Sequence, residues 1–129
     1  MRKAINPQGV RPPFGAYSHG LVADGLSTML TTSGQLAITT DDTVPEGARA
    51  QADLCFSAIS RILDEAGMTR ADIMRINAFV TDRAHMKDYM AARDAWLGPV
   101  DPLPASTLVI VSGFTRPEFL VEVEVTAAR

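Results

Sequence analysis

Residues 119–125 read Phe-Leu-Val-Glu-Val-Glu-Val, and no other segment restricts the fold so tightly. Side chains alternate across a strand, so Val121, Val123 and Val125 share one face and Leu120, Glu122 and Glu124 share the other. The valine face belongs to a core. The second face carries two carboxylates, which must stay exposed or find partners. Such a strand points to a cleft or a subunit boundary.

The segments before it supply the rest of a sheet and its cover. The first 16 residues hold Pro7, Gly9, Pro12, Pro13 and Gly15 and read as a loop or edge arm. Ser18 to Ala23 reads as a short strand that turns at Asp24-Gly25. Thr28 to Ser33 reads as a second strand ending at Gly34, and the two are expected to form a hairpin. From Pro45 to Ala66, Cys55, Ala58, Ile59, Ile62, Leu63 and Ala66 recur at three and four, the spacing of an amphipathic helix. Pro45 suits its first turn and Gly67 its stop. Thr69 to Asp72 has capping-box spacing. Ile73 to Thr81 reads as a strand with Met74, Ile76, Ala78 and Val80 on one face. A second helix is predicted from about Arg83 to Leu97, with the stripe Met86, Tyr89, Met90, Trp96 and Leu97, and Gly98-Pro99 ends it. Strands over roughly Ala105–Val111 and Glu118–Ala127 complete the order β-β-α-β-α-β-β.

This order predicts an α/β (α+β) chain with one mixed sheet and two helices on one face. A 129-residue chain has no third layer for the other face. Self-association is the simplest cover. One domain over 1–129 is expected. Acidic and basic residues are spread along the chain with a net charge of -3, so the basic footprint of a nucleic-acid binder is missing. The apolar runs are far below membrane-spanning length, and the N-terminus lacks an apolar signal core. Cys55 is the only cysteine, so no internal disulfide can form. A cytoplasmic protein with no nucleic-acid or membrane partner is expected.

No metal site is expected, because His19 and His85 are far apart and neither has a ligand at metal spacing. Gly15 to Gly20 lacks the dinucleotide fingerprint. Cys55 falls on the apolar face of the first helix, where a thiol is inert. Arg93 shares the stripe of the second helix. It either snorkels to water with its stem packed, or is aimed into a pocket to pair with a carboxylate or an anionic ligand. Glu122 and Glu124 either line a solvated face or meet a neighbouring subunit. In the second case one becomes an acid of raised pKa suited to proton transfer. Tyr17 lies in a loop as a surface turn or a pocket wall. Ser33-Gly34-Gln35 closes a strand, where backbone N–H groups can hold a carbonyl or carboxylate.

Together, Gly15-Ala-Tyr-Ser-His-Gly20, Thr32-Ser-Gly-Gln35, Gln51, Asp64-Glu-Ala-Gly67, Asn77-Ala-Phe-Val-Thr-Asp82, Pro104-Ala105 and Val121-Glu-Val-Glu124 resemble the Rid family, also called the YjgF family. Their order and spacing carry the resemblance over nearly the whole chain. It implies a chorismate-mutase-like fold and a homotrimer with an inner β-barrel and clefts between subunits. Active members hydrolyse reactive enamines and imines to 2-keto acids and ammonia without a metal or organic cofactor. By motif position the resemblance assigns Glu122 to water activation and Tyr17, Ser33 and Gly34 to the cleft wall. Ser106, Thr107 and Leu108 would line it from the penultimate strand, with backbone donors near Gly34 and Thr107 polarising the substrate.

Two departures bear on activity. The deaminases carry Pro-Ala-Arg-Ser where this chain reads Pro104-Ala105-Ser106-Thr107. Ser106 cannot replace a carboxylate-clamping guanidinium, and losing such a pair weakens binding by roughly 2–5 kcal/mol. The family often has an asparagine on the cleft side of the second helix, where this chain has Arg93. Arg93 is expected to return the lost charge from another wall. Ser57, where an asparagine is common, is a milder change. The resemblance implies a deaminase or hydrolase with altered substrate choice, acting on a small, carboxylate-containing enamine, imine or related carbonyl compound. The alternatives are a non-catalytic carboxylate-binding trimer and, against the charge, a ribonuclease or translation inhibitor.

Overall fold

The computed structural model describes residues 1–129. In chain order the elements are β1 (Arg2–Ile5), β2 (Gly20–Ala23), β3 (Met29–Thr31), β4 (Gln35–Leu36), α1 (Ala48–Glu65), β5 (Ile73–Val80), α2 (Met86–Leu97), β6 (Ala105–Ile110) and β7 (Val121–Ala128). Short 3-10 turns at Arg70–Asp72 and Arg83–His85 lead into β5 and α2. The main sheet runs β3-β7-β5-β6, and β4 also pairs with β7. Only β5 and β6 are parallel. This is the mixed sheet with two helices that the pattern predicts.

The valine face of β7 is the centre of the core. Val121 and Val123 are fully buried, as are Ile76, Ala78 and Val80 beside them on β5. Burying each of the valines and the isoleucine stabilises by about 1.5–3 kcal/mol. The α1 face closing over them is Ala48, Ala52, Cys55, Phe56, Ile59 and Leu63. Gly67 adopts φ +68 after α1, Met68 N–H reaches Leu63 O at 2.8 Å and Gly67 N–H reaches Asp64 O at 3.0 Å. These two bonds are a Schellman stop. Thr69 and Asp72 form the reciprocal capping box. No helix is long and apolar enough to cross a membrane.

Three expectations need correction. The two strands expected to form a hairpin, now β2 and β3, do not pair with each other. Instead β2 pairs with β1, which lies in the segment read as a loop or edge arm, and β3 pairs with β7. Gly25, at φ +68, turns the chain from one sheet to the other, and long β7 offers β3 a better partner than short β2. Pro45 lies outside α1, because Gly47 takes a positive, non-helical φ of +87 with ψ 149 and the helix starts at Ala48. On β5 an irregularity between Ile73 and Arg75 turns Ile73 into the core and leaves Met74 half-buried.

The second sheet face follows from register. Glu122 pairs with Phe79 and Glu124 with Asn77, while Asn77 pairs with Thr107 and Phe79 with Val109. All six are exposed or half-buried in the protomer.

Candidate functional site

The geometry at β4 and β7 is tight. Leu36 pairs with Glu122 and Gln35 with Val123, which brings Ser33-Gly34 alongside the Glu122 side chain. A Cβ on Gly34 would lie 2.6 Å from Glu122 Cδ and 2.9 Å from each of its oxygens. Gly34 has no positive φ, so the missing side chain, not the backbone angle, is what the position needs. Burial, and secondarily the charge of Glu124 on the same face, hold the Glu122 carboxyl above the ordinary carboxylate range. The acid therefore sits against a backbone with raised proton affinity.

The other sequence-predicted residues gather elsewhere. Ser106 pairs with Ile76 and Leu108 with Ala78, so both point to the helix-bearing side of β6. The loop carrying Tyr17 is tied to the start of this strand. Ser18 N–H reaches Pro104 O at 3.0 Å, and Ser18 Oγ donates to Leu103 O at 2.7 Å. Tyr17 is half-buried, and its hydroxyl accepts from Phe14 N–H at 3.1 Å. Arg93, on α2, is 3% exposed, which overturns the snorkelling reading. Its Nε donates to Asp94 Oδ1 at 3.1 Å, and its Nη2 lies 3.5 Å from where a Gly15 Cβ would be. The Gly15–Ser18 turn thus meets Arg93 at one end and the start of β6 at the other.

Thr107 departs from its neighbours. It is exposed on the glutamate face, and its hydroxyl accepts from Arg75. The predicted residues therefore do not converge within one protomer. Ser106 and Glu122 are two strands apart and three residues out of step, roughly 10 Å across and roughly 10 Å along the sheet, with side chains on opposite faces. Period-two alternation was visible in the sequence, but the register that decides which residues meet was not.

Two residues escaped the sequence reading. Arg75 donates from Nε to Asn77 Oδ1 at 2.9 Å and brings a cation to the glutamate face. Alternation along β5 places it there once the β5–β7 register is known. Tyr89 is fully buried, with a hydroxyl that has no hydrogen-bond partner. Its place on the α2 stripe made it look like plain core. Cys55 matches expectation: burial, and then the charge of Glu122, push its thiol up to about 12, and Sγ sits 3.8 Å from Val121 O. Ser57 is exposed on α1 and lines a groove of about 430 Å³ with Leu36, Leu54 and Arg61.

Comparison with known proteins places this geometry among relatives. The family model described as Endoribonuclease L-PSP matches residues 8–129. A RutC family protein of Aquifex aeolicus is 28% identical over 118 residues, covering 91% of each chain. The crystal structure of YyfB from Yersinia pestis, a conserved Rid family protein of unknown function, superposes with a TM-score of 0.86 at 28% identity over 99% of this chain and 98% of that one. Escherichia coli TdcF with bound serine gives a TM-score of 0.73 at 25% identity, covering 98% of both.

Proposed function

This chain belongs to the Endoribonuclease L-PSP family, the Rid and YjgF group, and from that premise we propose that it is a homotrimer that hydrolyses a small enamine, imine or related carbonyl compound in clefts between subunits. The observation that carries the reading is the Glu122 carboxyl, seated on Gly34 with raised proton affinity. A base of this kind can take a proton from water and return it within one turnover.

The split of the site supports assembly. One protomer offers Ser33, Gly34 and Glu122 at one side of the sheet and Tyr17, Arg93, Ser106 and Leu108 at the other. A cyclic trimer joins the first set of one copy to the second set of the next. Closing the sheets round an inner barrel also covers the glutamate face.

The chemistry follows from these groups. Water, deprotonated by Glu122, adds to the C=N carbon, and the proton passes to nitrogen. Collapse of the carbinolamine expels ammonia and leaves the carbonyl compound. Backbone N–H groups near Gly34 and Thr107 polarise the substrate. Arg93 supplies the cation that Ser106 lacks and pairs with a substrate carboxylate. The serine bound to TdcF supports a ligand of amino-acid size and charge. No cofactor is invoked, and the proposed compartment is the cytoplasm, where a chain with one buried thiol needs no oxidising surroundings.

The test generates 2-iminopropionate and related imines in situ and follows keto-acid release. Wild type should accelerate release, Glu122→Gln should not, and sedimentation should give a trimer. A monomer, or a Glu122→Gln variant as active as wild type, refutes the proposal. A second reading, a trimer that binds carboxylates without chemistry, is favoured by Ser106 in place of arginine. Ligand binding with no acceleration across the imine panel would establish it. The net charge of -3 argues against RNA as substrate.

A further inference from the structure

α1 carries a second apolar strip beside its core face. Leu54 and Ala58 lie one turn apart on it, both half-buried, and Arg61 follows one turn later. Across from them stand Leu36 of β4 and Ile38, and the two sides enclose an open groove of about 430 Å³. That volume is in the range of small-molecule sites. From Leu54 to Arg61 the strip runs about 10 Å, the reach of a medium alkyl chain.

The walls are fixed before any ligand arrives. Cys55, Phe56 and Ile59 anchor α1 in the core. The chain after Ile38 closes on itself. Thr39 N–H donates to Thr43 O at 2.9 Å, Asp42 N–H to Thr39 O at 3.0 Å, and Thr43 N–H to Thr39 Oγ1 at 3.0 Å. A preformed groove loses little freedom on binding.

One charge belongs to the groove. Arg61 lines it and forms no ion pair in the protein, although Asp64 and Glu65 follow it by three and four residues on α1. Arg49, by contrast, pairs with Asp53 four residues on, at 3.3 Å. No acidic residue lines the groove, and Asp41 and Asp42 belong to the loop beyond it. An apolar floor that ends at one free guanidinium complements an alkyl chain with an anionic head. A neutral apolar ligand would leave Arg61 unused, and a short carboxylate would leave the floor wet.

We propose that this groove binds a small amphiphilic carboxylate, with its alkyl chain on Leu36, Ile38, Leu54 and Ala58 and its carboxylate on Arg61. The site is separate from the hydrolytic cleft, since neither Glu122 nor Arg93 is among its walls. Leu36 is the one link between them, because it pairs with Glu122 across β4 and β7. Binding here needs no turnover and stands apart from the identity of the imine.

The test titrates octanoate and octanol against the whole protein by ligand-observed NMR, for wild type, Ala58→Glu and Arg61→Gln, with sedimentation of each protein free of ligand. Wild type should bind octanoate saturably, and excess pyruvate, a carboxylate sized for the cleft, should not displace it. Ala58→Glu puts bulk and a like charge on the floor and should weaken octanoate at least about 10-fold. Arg61→Gln should weaken octanoate about 5-fold, the scale of a solvent-facing ion pair, and leave octanol binding unchanged. No saturable octanoate binding, displacement by pyruvate, wild-type octanoate affinity in either variant, or an equal loss of octanol in Arg61→Gln each overturns the proposal. A changed oligomeric state in Ala58→Glu also overturns it, because another copy of the chain then covers the groove.

Discussion

Replacing Gly34 by alanine separates site geometry from stability. The new Cβ would stand 2.6 Å from Glu122 Cδ, against an ordinary carbon contact of about 3.5–4.0 Å, so the carboxyl must retreat by about 1 Å. The obstructing atoms are the far end of a flexible side chain, so the strands need not move. Pushing the glutamate off its rotamer costs about 0.5–1.5 kcal/mol. The alanine restricts the unfolded chain and returns about 0.4–1 kcal/mol, since Gly34 has no positive φ to be strained. The two nearly cancel, and the melting temperature should move by less than about 4 °C. Turnover should fall far more, because a catalytic group displaced by about 1 Å loses on the order of 100-fold in rate. The assay is kcat/KM for imine hydrolysis beside a thermal melt. Gly113→Ala is the control, as its Cβ would meet nothing within 4 Å. A Gly34→Ala variant with wild-type kcat/KM refutes the claim that the Glu122 position matters.

Two other substitutions test the scaffold and the acid. Gln51 is 1% exposed and joins three backbone groups, donating to Pro45 O at 2.9 Å and Glu118 O at 2.8 Å and accepting from Leu120 N–H at 2.8 Å. Gln51→Leu should cost about 2–4 kcal/mol, read as a lower urea midpoint, and an unchanged midpoint would show that water takes over these bonds. Glu122→Gln should also change the pH dependence of stability. Because the folded pKa of Glu122 is raised, both states are protonated at low pH, and the folded state loses stability as pH rises through the raised value. The melting temperature of Glu122→Gln should therefore approach wild type at low pH, exceed it increasingly as pH rises from the ordinary carboxylate value through the raised one, and level off above that. A gap that narrows as pH rises contradicts the assignment.

The elements legible in the sequence are those whose own side chains carry a period or a stop. The stripe through Cys55, Ile59 and Leu63 marked α1, and Gly67 marked its end. The valines of β7 marked the core, and Thr69 with Asp72 marked the capping box. β4 is two residues long and exists because β7 is beside it, so no local pattern could reveal it. β1 lay in a Pro- and Gly-rich arm whose composition hid a four-residue strand. Site residues were legible one at a time through their motifs. Their separation onto two faces depends on pairing partners more than 25 residues away, such as Ile76 with Ser106. Arg93 was recognised as out of place on an apolar stripe, but the unmatched hydroxyl of Tyr89 appears only once the helices pack.

Placing Ser106 and Glu122 on opposite faces has a genetic consequence. If each chamber borrows its walls from two chains, a copy broken at Arg93 and a copy broken at Glu122 can rescue each other by co-assembling. Random equal mixing leaves roughly a quarter of the chambers with both walls sound. Inherited damage to either wall would then be recessive in a cell that also makes the other, and a duplicated gene could decay one wall at a time without loss of the trait.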